Sequence, residues 1–553
     1  LGTLLINSTG GAGNIDLGGI GTNSVVGTSG NVTVGNAATN TLTLDGADYK
    51  TTGSQTYVAR SAGGGQNIDI TSSSSGTAAN FVTTNQNIAF NTSGINLKNN
   101  ATTTISSGTG GGGDISFAGG VEADGTLDVL TITSGSGSVT FSGKIGATEE
   151  LAGLNVNATN TDGAGDIVFA SDIGDSNGTE AGVLGTTVIG NNTTNSIDFQ
   201  GALYSFGTGT TNIEAKSGES IDVTRNATTV EFKTAGTSLS FDTAEIDLDN
   251  GSNLSIATAG GAISVVGIAG HSSETVVISA NDGTAQGGGG DSATETVTIG
   301  DIGDATADEI LSVAITGADG ITLDGSNINT ADTANPNISF TGAVDIKGSV
   351  TVSSDNESND GTITFSTTID GEGSGTDNLT ILSGSGSLTL SGAIGDDTAL
   401  NNLTINTTDT DSTGGATAAL TIPVIGDKEG SANAGANIVN IGSTDTPTVT
   451  FSGNFYRTDG NFVVTATSGA DKIIFNGASA QVTTSGDLVD LNSGVKLGDI
   501  NTLTINTNFG NALDSGGNVE IAGAISATSN ENLTITTGNK GGTDDPGSVT
   551  FSG

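Results

Sequence analysis

The chain has 553 residues, of which 89 are glycine; 4% are aromatic, 13% are charged, and cysteine, methionine and tryptophan are absent. Its 13 basic and 59 acidic residues give a net charge of −46, which excludes nucleic acid and anionic membrane surfaces as partners, since both are bound through clustered Lys and Arg. The lack of cysteine rules out a disulfide framework or thiolate metal site, and no apolar run approaches the ~18 residues of a membrane-spanning helix.

Only 33% of residues are hydrophobic, too few for a thick globular core and enough for a thin one filled layer by layer. Disorder is the competing reading of so much Gly, Ser, Thr and Asn, but the apolar residues recur in phase along the whole chain. In chain order, "LTIT" (130–133), "SVTFSG" (138–143), "LNVNA" (154–158), "DIVFA" (166–170) and "SIDFQG" (196–201) alternate apolar with small polar residues. That is the period of strands with one buried face. Gly, Asn, Asp and Ser between them supply turn chemistry, and no stretch has helical periodicity.

The element Val/Ile-x-Phe-x-Gly, loosely kept, begins at Ile115, Val139, Ile167 and Ile197, in steps of 24, 28 and 30 residues. It returns at Ile338, Ile363, Leu388, Leu420 and Val449, in steps of 25, 25, 32 and 29. Such a period, with two or three short strands in each, describes one coil of a solenoid, whose core exists only because coils stack. Phe117, Phe141, Phe169 and Phe199 then form an internal column, with Thr and Asn in ladders outside, repeating at about 4.8 Å.

A longer repeat lies over this one. "LTITSGSGSVTFSGKIG" (130–146) returns as "LTILSGSGSLTLSGAIG" (379–395). "LDGADY" (44–49), "FQGALY" (199–204) and "FSGNFY" (451–456) share a Gly-x-x-Tyr, so Tyr49, Tyr204 and Tyr456 are 155 and 252 residues apart. Segments beginning near Ile68, Ile221 and Ile473 are 153 and 252 apart. The reading is the C-terminal part of a module over 1–67, a short module over 68–220, a long one over 221–472 with extra coils about 265–350, and a truncated one over 473–553, all in one continuous rod. The chain opens at Leu1 without a signal-like segment and stops at Gly553 inside a motif, so it reads as an excerpt of something longer.

"TTGSQTY" (51–57) with "GGGQNIDI" (63–70), and "SVTFSGKIGATEELAGLNVNA" (138–158) echoed by "SLTLSGAIGDDTALNNLTINT" (387–407), resemble giant bacterial surface adhesins of the filamentous-haemagglutinin and autotransporter-passenger kind. In that family a Gly-x-Ile/Val-Gly turn and a following Leu-x-x-Leu join consecutive strands. The matching positions here are Gly143, Ile145, Gly146, Leu151 and Leu154, then Gly392, Ile394, Gly395, Leu400 and Leu403. The resemblance implies a right-handed parallel β-helix, exported to the cell surface as an adhesin or fibre.

Candidates for chemistry are sparse. His271, the only histidine, sits in the polar turn "AGHSSETV" and reads as a surface residue. "GDSNG" (174–178) fits G-x-S-x-G around Ser176, but the nucleophile elbow needs a helix after it. Gly108, Gly110 and Gly113 satisfy G-x-G-x-x-G ahead of a strand, where the dinucleotide fingerprint requires a helix. The acid pairs Glu149–Glu150, Asp396–Asp397 and Asp544–Asp545 are the material of a glycosidase, yet the chain offers three arginines and no tryptophan to hold a sugar. Hard cations take Asp, Asn and carbonyl oxygens. Asp370 and Asp377 in "DGEGSGTDN", with Asp162 and Asp166 in "NTDGAGD", are therefore the candidates for calcium, the one cofactor considered. Tyr49, Tyr204 and Tyr456, with Lys50 and Arg457 beside two of them, are either ligand contacts or packing at module junctions, and packing is the simpler account.

The expected fold is all-β: a β-solenoid, read as a right-handed parallel β-helix of about 20 coils on the order of 100 Å long, with tandem β-sandwiches as the alternative. The expected function is non-enzymatic: a secreted structural rod or fibre segment at a bacterial cell surface. A glycan- or partner-binding β-helix is the alternative, and a polysaccharide-degrading one ranks third. The partners expected are another copy end to end or more of the same chain, and surface glycans or other cells.

Overall fold

In Ile115-Ser116-Phe117 the two apolar side chains are buried and the serine between them is half-exposed, and the same alternation recurs in strand after strand. Branched and aromatic side chains suit such a pleated, half-buried surface. The computed structural model describes residues 2–552 except 8–12, 23–29, 61–65, 72–77, 92, 99–101, 109, 126–127, 162, 164, 176–180, 226–227, 282–294, 304–307, 326, 333–335, 357–358, 374, 407–417, 427–434, 509–515 and 539–545. The fold is all-β, without a helix among the described residues, and is a β-solenoid of stacked parallel strands.

The chain forms two compact units: Leu1–Ile268 with Ser279–Glu295, and Ala269–Ile278 with Thr296–Gly553. The division falls inside the long sequence repeat 221–472, so repeat and compact unit partition the chain differently.

In the first unit each turn contributes to up to three parallel faces. One face runs from Leu4 through Val32, Gln55, Ile88, Ile115, Val139, Ile167, Ile197 and Ile221 to Ile246, each in register with the next. The steps, by subtraction, are 28, 23, 33, 27, 24, 28, 30, 24 and 25 residues. The second face includes Leu42–Leu44, Gly94–Lys98, Val121–Ala123 and Leu203–Phe206. The third includes Ala79–Val82, Thr102–Ser106, Val129–Thr133 and Gly153–Val156.

The second unit repeats the plan. Val313, Ile338, Ile363 and Leu388 align at steps of 25, 25 and 25, and Leu420, Val449, Ile473, Val495 and Ile525 at 29, 24, 22 and 30. About 17 turns can be followed, against the about 20 expected from the repeat spacing. Steps this short exclude tandem sandwiches, which need domain-sized repeats.

The motif Gly-x-Ile-Gly has a structural meaning. Ile145 and Ile173 occupy the second face as single bridged residues between Val121 and Tyr204, and Ile394 and Ile425 do the same before Tyr456. Gly146 and Gly395 follow at φ 60° and 67°, a conformation that favours glycine. A Cβ there would lie 2.0 Å from the carbonyl oxygens of Gly182 and Gly435.

Candidate functional site

The repeated residues converge on the interior. Phe117, Phe141, Phe169 and Phe199 are buried and lie face to face, with ring centroids 4.7, 5.1 and 5.3 Å apart and planes within 6° of parallel. The column extends beyond them. Phe90 stacks on Phe117 at 5.4 Å and Tyr57 on Phe90 at 5.2 Å. In-register pairing places each ring above its predecessor.

Tyr49, Tyr204 and Tyr456 are fully buried, so their rings present no surface to a ligand. Each hydroxyl reaches back to the corner glycine three residues earlier. Gly46 N–H donates to Tyr49 Oη at 2.8 Å and Gly201 N–H to Tyr204 Oη at 2.6 Å, whereas Tyr456 Oη donates to the Gly453 carbonyl at 3.0 Å. Tyr49 also donates to Leu17 O of the preceding turn at 2.7 Å. Burial is the main force raising all three hydroxyl pKa values. Lys50 pairs with Asp48 at 3.2 Å, and Arg457 is largely buried.

A second device also repeats. Asn157 and Asn406 hold φ 54° and 44°. Asn157 Oδ1 accepts from Ser134 N–H at 2.8 Å while its Nδ2 donates to Ser134 Oγ at 2.9 Å; Asn406 treats Ser383 likewise at 2.7 and 2.9 Å. All four residues are buried.

Of the carboxylates singled out for calcium, Asp370, Asp377 and Asp166 are tied to backbone or neighbouring side chains, and Glu122, which the sequence did not single out, is tied in the same way. Asp370 accepts from Asp397 N–H at 3.0 Å and Thr398 N–H at 3.4 Å in the following turn, and Glu122 accepts from Thr148 and Glu149 N–H at 3.0 and 3.2 Å. Burial pushes both carboxyls above the usual range, and these donors pull back. Asp377 caps Gly348 and Gly373 N–H, both at 2.8 Å. Asp166 accepts from Asn195 Nδ2 at 2.7 Å and Ser196 Oγ at 3.1 Å. Asp162, Ser176, Asp544 and Asp545 lie outside the described residues. Among the described residues no three His, Cys, Asp or Glu are placed to hold a metal ion.

His271 is exposed, and its backbone N–H donates to Glu274 Oε2 at 2.6 Å. After Gly113, whose carbonyl accepts from Ser107 Oγ at 2.5 Å, comes the strand Ile115–Phe117 and not the helix a dinucleotide fingerprint requires. Shallow recesses mark the surface among the described residues. One includes Thr404, Asn440 and Ser443, another Glu219, Thr243 and Glu245, and a further one Asn192, Thr193 and Lys216; none of these is lined by an aromatic side chain.

Sequence reasoning missed the corner hydroxyls. Ser134 Oγ donates to Gly137 O, Thr234 to Thr237 O, Thr458 to Gly460 O and Thr484 to Asp487 O, at 2.5 to 2.8 Å. Part of their signal is a Ser or Thr directly after a third-face strand, as Ser107 follows Thr102–Ser106 and Ser134 follows Val129–Thr133.

No protein-family model, no curated protein and no solved structure matches the chain. The architecture stands on its own as that of a β-helix repeat protein.

Proposed function

We propose that the chain is a structural segment of a bacterial surface adhesin or cell-surface filament, exported and working mechanically. One observation carries this reading. The residues that recur from turn to turn (the phenylalanine column) or between modules (the three tyrosines, Gly146 and Gly395, and the Ser134–Asn157 and Ser383–Asn406 pairs) are engaged in holding one turn on the next. Repetition of that kind preserves stacking, whereas repetition for recognition would place the same side chains outside. A net charge of −46 keeps the flanks soluble and mutually repelling.

Electron microscopy of the native material tests the proposal. Thin fibres with an axial repeat support it. Dispersed particles, or saturable binding of a defined glycan by the isolated chain, would replace it with the recognition-module reading.

A further inference from the structure

One interior column of the first unit changes chemistry for two turns. Leu130, Leu154, Thr187, Thr211, Leu239 and Ile263 stand on successive rungs that continue the third face, each in register with the next. All are buried, Thr187 and Thr211 at 0% and 2% exposure. Among the described residues neither Thr187 Oγ1 nor Thr211 Oγ1 has a hydrogen-bond partner. Other interior hydroxyls close onto a nearby carbonyl, as Thr234 does on Thr237 O at 2.6 Å and Ser134 on Gly137 O at 2.5 Å. The main chain at the two threonines is committed to the ladder: Thr187 N–H donates to Thr210 O at 2.9 Å and Thr211 N–H to Ser238 O at 3.0 Å. A hydroxyl buried without a partner forfeits its hydrogen bonds to solvent and destabilises the fold. Here two of them meet on adjacent rungs.

We propose that Thr187 and Thr211 bind one buried water, held between their hydroxyls inside the solenoid. Hydroxyls that repeat with the rungs stand about 4.8 Å apart, beyond the roughly 2.5–3.0 Å of a direct O–H···O bond. A water about 2.8 Å from each oxygen spans that separation at an angle of roughly 118°, near the tetrahedral value. Space comes from the exchange of residues itself. Threonine fills less of the interior than the leucines on the rungs to either side, and a buried water needs little beyond its own volume and at least two polar partners. Each hydroxyl can both donate and accept, so the pair supplies them. Water is the ligand that fits, because the adjoining rungs of the column are Leu154 and Leu239, which offer an ion or a larger polar molecule nothing to hold.

Oxygen-17 magnetic relaxation dispersion of the whole chain, which counts long-lived internal waters, tests this on the parent, Thr187→Val, Thr211→Val, the double variant and Thr187→Ser. Valine keeps the shape of threonine without its hydroxyl, whereas serine keeps the hydroxyl. The dispersion is expected to lose the amplitude of one water in each valine variant and to keep it in Thr187→Ser. Hydrogen exchange at Thr187–Gly190 and Thr211–Glu214 should speed up roughly ten-fold in either single valine variant, which strands the remaining hydroxyl. It should return toward the parent's rate in the double variant, which strands none. The proposal is overturned if either valine variant leaves the dispersion unchanged, or if either slows exchange at these strands, as removal of a dry, unpartnered hydroxyl would.

Discussion

Replacing Phe141 by alanine removes the middle of a stack whose rings lie 4.7 Å and 5.1 Å away on Phe117 and Phe169. The side chain is 1% exposed, so the loss includes both transfer and cavity terms, about 3–5 kcal/mol. Two parallel ring contacts, each worth about 0.5–1.5 kcal/mol, place it toward the upper end. Phe141→Leu keeps most of the bulk and loses only the ring contacts, about 2 kcal/mol. In a solenoid each turn is held by its immediate neighbours, so the damage should stay local, and a single melting temperature for so long a stack is a poor measure of it. Hydrogen exchange read by mass spectrometry on peptides is the suitable assay. Protection at 115–117, 139–141 and 167–169 should fall roughly a thousand-fold in Phe141→Ala, while Glu245–Leu248, several turns away in the same unit, changes little. Unchanged exchange at these three strands would refute the column. Equal loss at 245–248 would refute nearest-neighbour stacking.

Tyr204→Phe leaves the buried Gly201 N–H without its acceptor and should cost about 1–3 kcal/mol; denaturant melting with exchange at Leu203–Phe206 reads it, and a neutral result shows the bond to be dispensable. Asn157→Gly keeps the φ of 54° and loses only the bonds to Ser134, whereas Asn157→Ala adds backbone strain of about 1 kcal/mol; thermal melts should therefore rank Ala below Gly, and the reverse order would remove strain from the account. In the second unit, burial followed by Glu372 and Asp397 raises the Asp345 carboxyl. Asp345→Asn should accordingly raise stability at pH 7 and lose that advantage as pH falls, measured by urea titration at both pH values. Asp370→Ala strands the N–H groups of Asp397 and Thr398 and should destabilise by about 1–3 kcal/mol in the same titration.

Coil spacing was legible because its marker is an apolar triplet with phenylalanine third. Val139-x-Phe141 and Ile167-x-Phe169 announce both the strand and the inward face, and a parallel ladder leaves little freedom once inward positions are fixed. The column's first two members escaped notice for a local reason. Ile88-Ala89-Phe90 lacks the glycine that follows Phe117 and Phe141, and Gln55-Thr56-Tyr57 begins with a polar residue that is nevertheless buried, its Nε2 donating to Tyr49 O at 2.8 Å and Val82 O at 2.9 Å. The tyrosine motif was visible as a pattern and opaque as a mechanism, since the hydroxyl's partners are a corner N–H and a carbonyl 32 residues earlier in the chain. Pairing across turns is not written in spacing alone. The expected outer ladders are present in part: Asn437 donates to Asn401, Asn401 to Asn378 and Asn378 to Ser349 at 3.3, 2.9 and 2.8 Å. On the first unit's first face, Asp198, Asp222 and Asp247 take over the same rank.

That substitution divides the chain's acids into two physical kinds. Glu122 and Asp370, 248 residues apart, reach N–H groups of the next turn's corner, and Asp172 does the same to Ala202 and Leu203 at 2.7 and 3.2 Å while pairing with Lys144 at 3.0 Å. For Asp172, burial alone would raise the carboxyl, but Lys144 and the two N–H groups outweigh it and hold the value below the ordinary range. Its contribution is therefore present at neutral pH and is lost as pH falls through the lowered value. Asp222, raised chiefly by burial, lacks such donors from the next turn's backbone and responds in the opposite sense. A carboxylate joins two turns only when it meets backbone N–H groups at a corner; in a strand's outward rank it meets the same side chain one turn away. Opposed pH slopes within the same unit thus follow from where each acid sits on the coil, and not from the net charge they share.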